Sequence, residues 1–128
     1  MRRAIDLVVI KNERILLIKK KQVWILPGGK IEKGERNLDC LKREVKEETG
    51  ATAIVENFYN NFIGETPHKK DSLQVEVYFG RIGYWGELTP REGDSISKVK
   101  FVKHPYEYPL SNITKKIIDS LKKDGYLE

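Results

Sequence analysis

One cysteine in 128 residues excludes an intrachain disulfide, and a chain of this length can bury a core without one. A reducing, cytoplasmic setting is therefore expected. Cys40 lies among helix-type residues and reads as a packing thiol rather than a nucleophile. Long apolar runs are also missing: residues 7–10 are apolar, but Lys11 ends the run. Neither a signal peptide nor a membrane span is expected. The two histidines, His68 and His104, are too isolated for an imidazole metal site. There is no repeat, linker or low-complexity stretch, so residues 1–128 are expected to form a single domain.

Charge is abundant. Twenty-four Lys and Arg against 19 Asp and Glu give a net +5, which steers polyanions or simply confers solubility. The acids concentrate locally. Leu38, Leu41 and Val45 follow i, i+3, i+7, one apolar stripe of a helix, and Gly50 suits the left-handed position that ends it. Glu44, Glu47 and Glu48 fall together on another face. Glu44 and Glu48 form an i, i+4 like-charge pair, destabilising by about 0.2–0.5 kcal/mol, and the helix C-terminus disfavours anions further. A hard divalent cation would reverse these terms. The alternative is a solvated acidic face.

The surrounding residues resemble the signature of the Nudix hydrolases, Gly-x5-Glu-x7-Arg-Glu-U-x-Glu-Glu-x-Gly-U with U a bulky aliphatic. Gly29, Glu35, Arg43, Glu44, Glu47, Glu48 and Gly50 match its fixed positions and Val45 its first aliphatic, while Ala51 is small for the last. The resemblance implies an α/β fold, the Nudix α/β/α sandwich: a mixed sheet with the signature as a catalytic loop–helix–loop and a C-terminal helix. Local patterns agree with that layout. Residues 4–10 and 14–19 read as strands of an N-terminal hairpin turning at Asn12 and Glu13, and 23–26 as a short strand that Pro27, Gly28 and Gly29 break. Residues 51–63 read as a strand bent near Asn60 and Asn61, 64–71 as a polar loop, and 73–84 as a half-buried alternating strand. Residues 85–97 read as a loop and 99–102 as the last strand. A helix follows near 112–123, with Ile113, Ile117 or Ile118, and Leu121 as its stripe.

The resemblance further implies hydrolysis of a nucleoside diphosphate linked to another moiety, water attacking phosphorus with metal assistance. Mg²⁺ is the expected cofactor, with Mn²⁺ as the substitute. Glu47 and Glu48 are the expected principal ligands. Glu44 is a further ligand or the general base, and Gly29 contributes its carbonyl. Arg43 and Glu35 are expected to pair structurally, with Gly50 ending the helix. Where the family often adds a carboxylate before the last strand, Asp94 is the best candidate and Glu92 the next, although Ser95 stands where a glutamate is common. Lys19 and Lys21, from a basic triplet, are candidates for substrate phosphate, against the alternative of a solvated turn.

Two features of the sequence disagree on substrate. Tyr108, Pro109, Leu110, Ser111 and Asn112 look like the Phe-Pro-Pro-Ala-Asn segment of MutT-type 8-oxo-dGTP diphosphatases, whose asparagine reads the purine edge. The alternative is that Asn112 caps the helix. Pro67, sixteen residues past the signature, instead matches a spacing associated with ADP-ribose pyrophosphatases. MutT-like nucleoside triphosphate hydrolysis is the preferred expectation. A non-catalytic nucleotide- or RNA-binding domain is disfavoured because every signature glutamate is present. The expected partner is a small nucleotide, with neither membrane nor nucleic acid, on a monomer or homodimer.

Overall fold

In a computed structural model, residues 2–66, 69–84, 88–90 and 95–128 are described. Strands β1 (Arg2–Val8), β2 (Ile10–Lys11), β3 (Arg14–Lys20), β4 (Val23–Ile25) and β5 (Gly28–Lys30) precede helix α1 (Asn37–Thr49). Strands β6 (Thr52–Thr66), β7 (Lys69–Gly83) and β8 (Ile96–Val102) follow, then a 3-10 turn (Pro105–Glu107) and helix α2 (Asn112–Lys123). One sheet runs β5-β1-β7-β6, with β1 and β7 parallel and the other pairs antiparallel. In the second, β3 pairs with β8 over its length, and β2 and β4 share its other edge.

β1 is apolar on both faces because both are covered. Ile5 and Leu7, with Val9 beyond, pack against Cys40, Leu41 and Val45 of α1. Ala4 and Val8 pack on the other side with Ile117, Ile118 and Leu121 of α2. This is the mixed sheet between two helices that was expected.

Several expectations are corrected. Asn12 and Glu13 do turn the chain, both at positive φ (52° and 63°) as two-residue hairpin turns require. The hairpin, however, is only β2 with β3. β1 belongs to the other sheet, and the chain crosses at Val9, whose carbonyl accepts the Leu16 N–H at 2.9 Å. β4 does end before Pro27, as expected, but Gly28 and Gly29 then open β5 in the other sheet, paired with Asp6 and Ile5. The stretch 64–71 is mostly hairpin, since β6 and β7 stay paired through Glu65 and Ser72 and again at Thr66 and Lys69. β6 departs from regular register near Asn60, as anticipated, and at two further places. β7 is covered on both faces: Leu73 and Phe79 pack on the α2 side, Tyr78 and Ile82 on the α1 side. β8 starts three residues earlier than anticipated, at Ile96. In α1 the stripe is Cys40, Leu41 and Val45. Leu38 is exposed, because the first turn of α1 projects past the sheet. Ala51 is fully buried, so a small residue suits that position. Among the described residues, no helix is long and apolar enough to cross a membrane.

Candidate active site

α1 begins without a side-chain cap at Arg36 and is fastened at its start by Asn37, whose amide donates to Glu76 of β7. It ends at Gly50 (φ 77°), whose N–H reaches the Lys46 carbonyl, while the Lys46 ammonium caps the Gly50 carbonyl at 3.1 Å. This left-handed stop turns the chain into β6.

The three glutamates of α1 take different environments. Arg43 grips Glu35 through two parallel bonds, Nε to Oε2 at 2.7 Å and Nη2 to Oε1 at 3.1 Å. Its remaining nitrogen, Nη1, donates to Glu44 at 3.0 Å and to Glu47 at 3.2 Å. One guanidinium thus ties the loop before α1 to the helix and offsets much of the repulsion on its acidic face. Hydrogen bonding to Arg43 holds the Glu35 carboxyl down at about 2, and Glu35 in turn pushes Arg43 well above its ordinary value. Cys40 is buried and donates to the Lys30 carbonyl; burial pushes its thiol up to about 12, consistent with packing and not nucleophilic chemistry.

Glu48 stands apart from Arg43. It is only 4% exposed and accepts the Gly28 N–H at 2.9 Å. Burial drives its carboxyl up to about 9, opposed chiefly by the Gly28 N–H bond and less by Lys20, with smaller upward contributions from Glu44 and Asp6. Asp6, at the pocket wall on β1, is likewise pushed up to about 8 by desolvation. Asp6, Lys20, Gly28, Gly29, Lys30, Glu44 and Glu48 line a pocket of about 400 Å³, closed on its other side by Leu73, Val75, Ile113 and Thr114. A Cβ at Gly29 would run into the Glu44 carboxylate, so only a glycine leaves this cradle open.

The buried Glu48, beside the partly exposed Asp6 and Glu44 and the glycine backbone, suits a hard cation that would compensate their charge. No three His, Cys, Asp or Glu side chains among the described residues converge into a closed cage.

Of the residues singled out from sequence, Gly29, Glu44 and Glu48 come together in this pocket. Glu47 is half exposed and turned toward Arg43. Lys19 and Lys21 do not line it; Lys20 between them does, as the i+2 continuation of Ile18 along β3. Lys21 occupies an exposed turn at φ 56°. Asn112 lines an adjoining hollow of about 520 Å³ with Ile63, Gly64, Ser72, Ile113 and Lys116, and Ile113 borders both. The cap of α2 is Ser111, whose hydroxyl accepts the Thr114 N–H, so Asn112 is not the cap. The segment before it is pinned to β4 by Trp24 N–H to the Pro109 carbonyl and Ser111 N–H to the Trp24 carbonyl. Trp24 is buried, edge-on to Tyr108. Asp94, Glu92, Pro67 and His68 lie outside the described residues; His104 is exposed. Asp6 was missed from sequence, although a lone acid in an apolar strand, at the register of Ala4 and Val8, was a readable signal.

The fold is an α/β/α sandwich with an acidic, glycine-floored pocket at one sheet edge. The comparisons specify the class. The NUDIX domain family matches residues 1–119. The 8-oxo-dGTP diphosphatase of Buchnera aphidicola subsp. Acyrthosiphon pisum is 32% identical over 110 residues, 84% of either chain. The ADP-ribose pyrophosphatase of Methanocaldococcus jannaschii is 29% identical over 124 residues, 93% of this chain and 68% of that one. A solved MutT NUDIX hydrolase from Burkholderia pseudomallei superposes with a TM-score of 0.78 at 23% identity, over 92% of this chain and 95% of that one. The chain belongs to the Nudix hydrolase family. That family generally uses divalent cations and acts on small nucleotides.

Proposed function

We propose that this chain is a Mg²⁺-dependent, cytoplasmic nucleoside triphosphate diphosphatase of the 8-oxo-dGTP type, working as one domain. The observation that carries the reading is the contiguity of two hollows sharing Ile113: one acidic, with Glu44, Glu48 and Gly29, the other presenting Asn112. A nucleotide laid across Ile113 puts its phosphates at the acidic end and its base beside an amide that both donates and accepts. The Ser111 cap supports this, because it leaves the Asn112 side chain without a helix-terminal duty.

When bound, Mg²⁺ or its substitute Mn²⁺ neutralises phosphate charge and activates water. The chain's own groups do the rest. Glu48, held by the Gly28 N–H, and Glu44, held by Arg43, supply carboxylate oxygens beside the Gly29 backbone. Glu47 is carried as a further ligand by the signature, with Arg43 competing for it. Lys20 supplies a cation for a phosphate oxygen, and on the resemblance's habit of an extra carboxylate before the last strand, Asp94 is the auxiliary acid. Phosphoryl transfer needs this positioning and charge compensation more than covalent chemistry.

A second reading, ADP-ribose hydrolysis, is favoured by the archaeal relative matching 93% of this chain. The deciding experiment measures kcat/KM for 8-oxo-dGTP, dGTP, dCTP and ADP-ribose with Mg²⁺. Purine triphosphates leading, with 8-oxo-dGTP first, supports the proposal. ADP-ribose leading, with a ranking unchanged in Asn112→Ala, replaces it with the second reading.

A further inference from the structure

We propose that Asp6 is a positioning carboxylate of the cation pocket: set against Glu48 across Gly28, it raises the pocket's affinity for a divalent cation without being one of the signature ligands. The inference rests on the reading of the pocket just given and adds a residue from outside the signature.

Asp6 sits on β1 in the register of Ala4 and Val8, both core residues, and is the Cα partner of Gly28 in β5. Gly28 donates its N–H to Glu48. A Cβ on Gly28 would overlap the Asp6 carboxylate oxygen, so that oxygen packs directly against the glycine. Two acids from distant parts of the sequence are thus separated by one residue that carries no side chain. Both line the same pocket. Among the described residues, no N–H or O–H donates to the Asp6 carboxylate.

An apolar residue at this register would extend the core between Ala4 and Val8. A charge there is unfavourable for folding unless something compensates it. Among the described residues, the cationic side chains lining the pocket are Lys20 and Lys30, and no salt bridge from either to Asp6 is found. A divalent cation at Glu48 supplies compensation at short range, since Asp6, partly exposed, faces the same pocket. With Gly28 between it and Glu48, Asp6 acts through the field and through water at the cation, as groups behind metal ligands do.

The test uses the full chain stripped of metal with EDTA and then dialysed. Mn²⁺ is titrated in and free Mn²⁺ followed by electron paramagnetic resonance, with thermal unfolding recorded with and without Mn²⁺. Asp6→Asn keeps the shape, and Asp6→Ala matches its neighbour Ala4. Both are expected to fold without metal at least as stably as the wild type, to bind Mn²⁺ about tenfold more weakly, and to gain less in Tm from it. Glu48→Gln serves as the reference. If Glu48→Gln weakens Mn²⁺ binding and the Asp6 variants do not, the inference falls while the reading of the pocket stands. If Glu48→Gln also binds Mn²⁺ like the wild type, the reading of the pocket itself falls. Loss of fold in both metal-free Asp6 variants would make Asp6 a scaffold residue and overturn the proposal.

Discussion

Gly28 meets Oε1 of Glu48 with its backbone N–H at 2.9 Å, while its α-carbon faces Asp6 at φ 150°. That φ suits glycine, and any Cβ would strike the Ile5 carbonyl, a backbone atom that cannot turn aside. Gly28→Ala should therefore lose about 1–3 kcal/mol or more of stability. Gly29→Ala presses instead on the Glu44 side chain, which can rotate, so it should lose turnover more than stability. Urea unfolding beside steady-state kinetics separates the two; equal stability loss in both would contradict this account of the cradle.

Arg43 and Glu35 form the latch between loop and helix. Arg43→Ala should lower Tm by about 5 °C and turnover roughly tenfold or more through misplacement of Glu44. Adding Glu35→Ala should do little further harm, since members of one network are not additive. Strictly additive losses in the double-mutant cycle would show that the two do not act together.

The pH dependence of the metal-free protein follows from three carboxyls. Glu48 is raised from 4.5 to about 9 and Asp6 from 3.8 to about 8, so the folded state holds both protons more tightly than the unfolded chain. Their contribution is present at low pH and is lost as pH climbs through those windows. Glu35 is lowered from 4.5 to about 2; its contribution is present above 4.5 and is lost toward pH 2. With EDTA, the urea midpoint should fall steadily from pH 5 to 9, and Mg²⁺ should flatten that fall. A midpoint indifferent to pH over this range, with or without Mg²⁺, would contradict the desolvated pocket.

At the start of α2, neighbouring residues should separate cleanly. Ser111→Ala removes the cap and should cost about 0.5–2 kcal/mol with the substrate ranking intact. Asn112→Ala should leave stability nearly unchanged and raise KM for purine triphosphates more than for dCTP, because a site that hydrogen-bonds its substrate discriminates through unpaired polar groups. Denaturation and the four-substrate comparison on both variants check this; the reverse pattern would return Asn112 to a capping role.

The sequence made α1 legible because helix period, stop signal and signature coincide, and it made the sandwich legible through strands interrupted by two amphipathic stretches. Sheet membership was not legible. Residues 4–10 look like half of a hairpin because Asn12 and Glu13 do turn, but the switch of sheets at Val9 depends on burying both faces of β1, which no local pattern expresses. Side-chain direction within the site was equally hidden. Helical spacing puts Glu44, Glu47 and Glu48 on one face, yet a single guanidinium draws Glu44 and Glu47 aside while Glu48 turns under Gly28. Lys20 was passed over for its neighbours because turn residues carry no alternation to count. Asp6 lies outside the signature, and a single charge in an apolar strand carries no motif of its own.

Glu48 is the centre of the account: a buried carboxylate that is unfavourable for the metal-free fold and needed for hydrolysis. Glu48→Gln preserves shape and can still accept the Gly28 N–H. Turnover of 8-oxo-dGTP with Mg²⁺ should fall by orders of magnitude, and the EDTA-stripped variant should be at least as stable as the wild type at pH 8, since folding no longer has to put a proton on, or bury the charge of, that carboxyl. Turnover close to the wild type, or a large loss of metal-free stability, would contradict it.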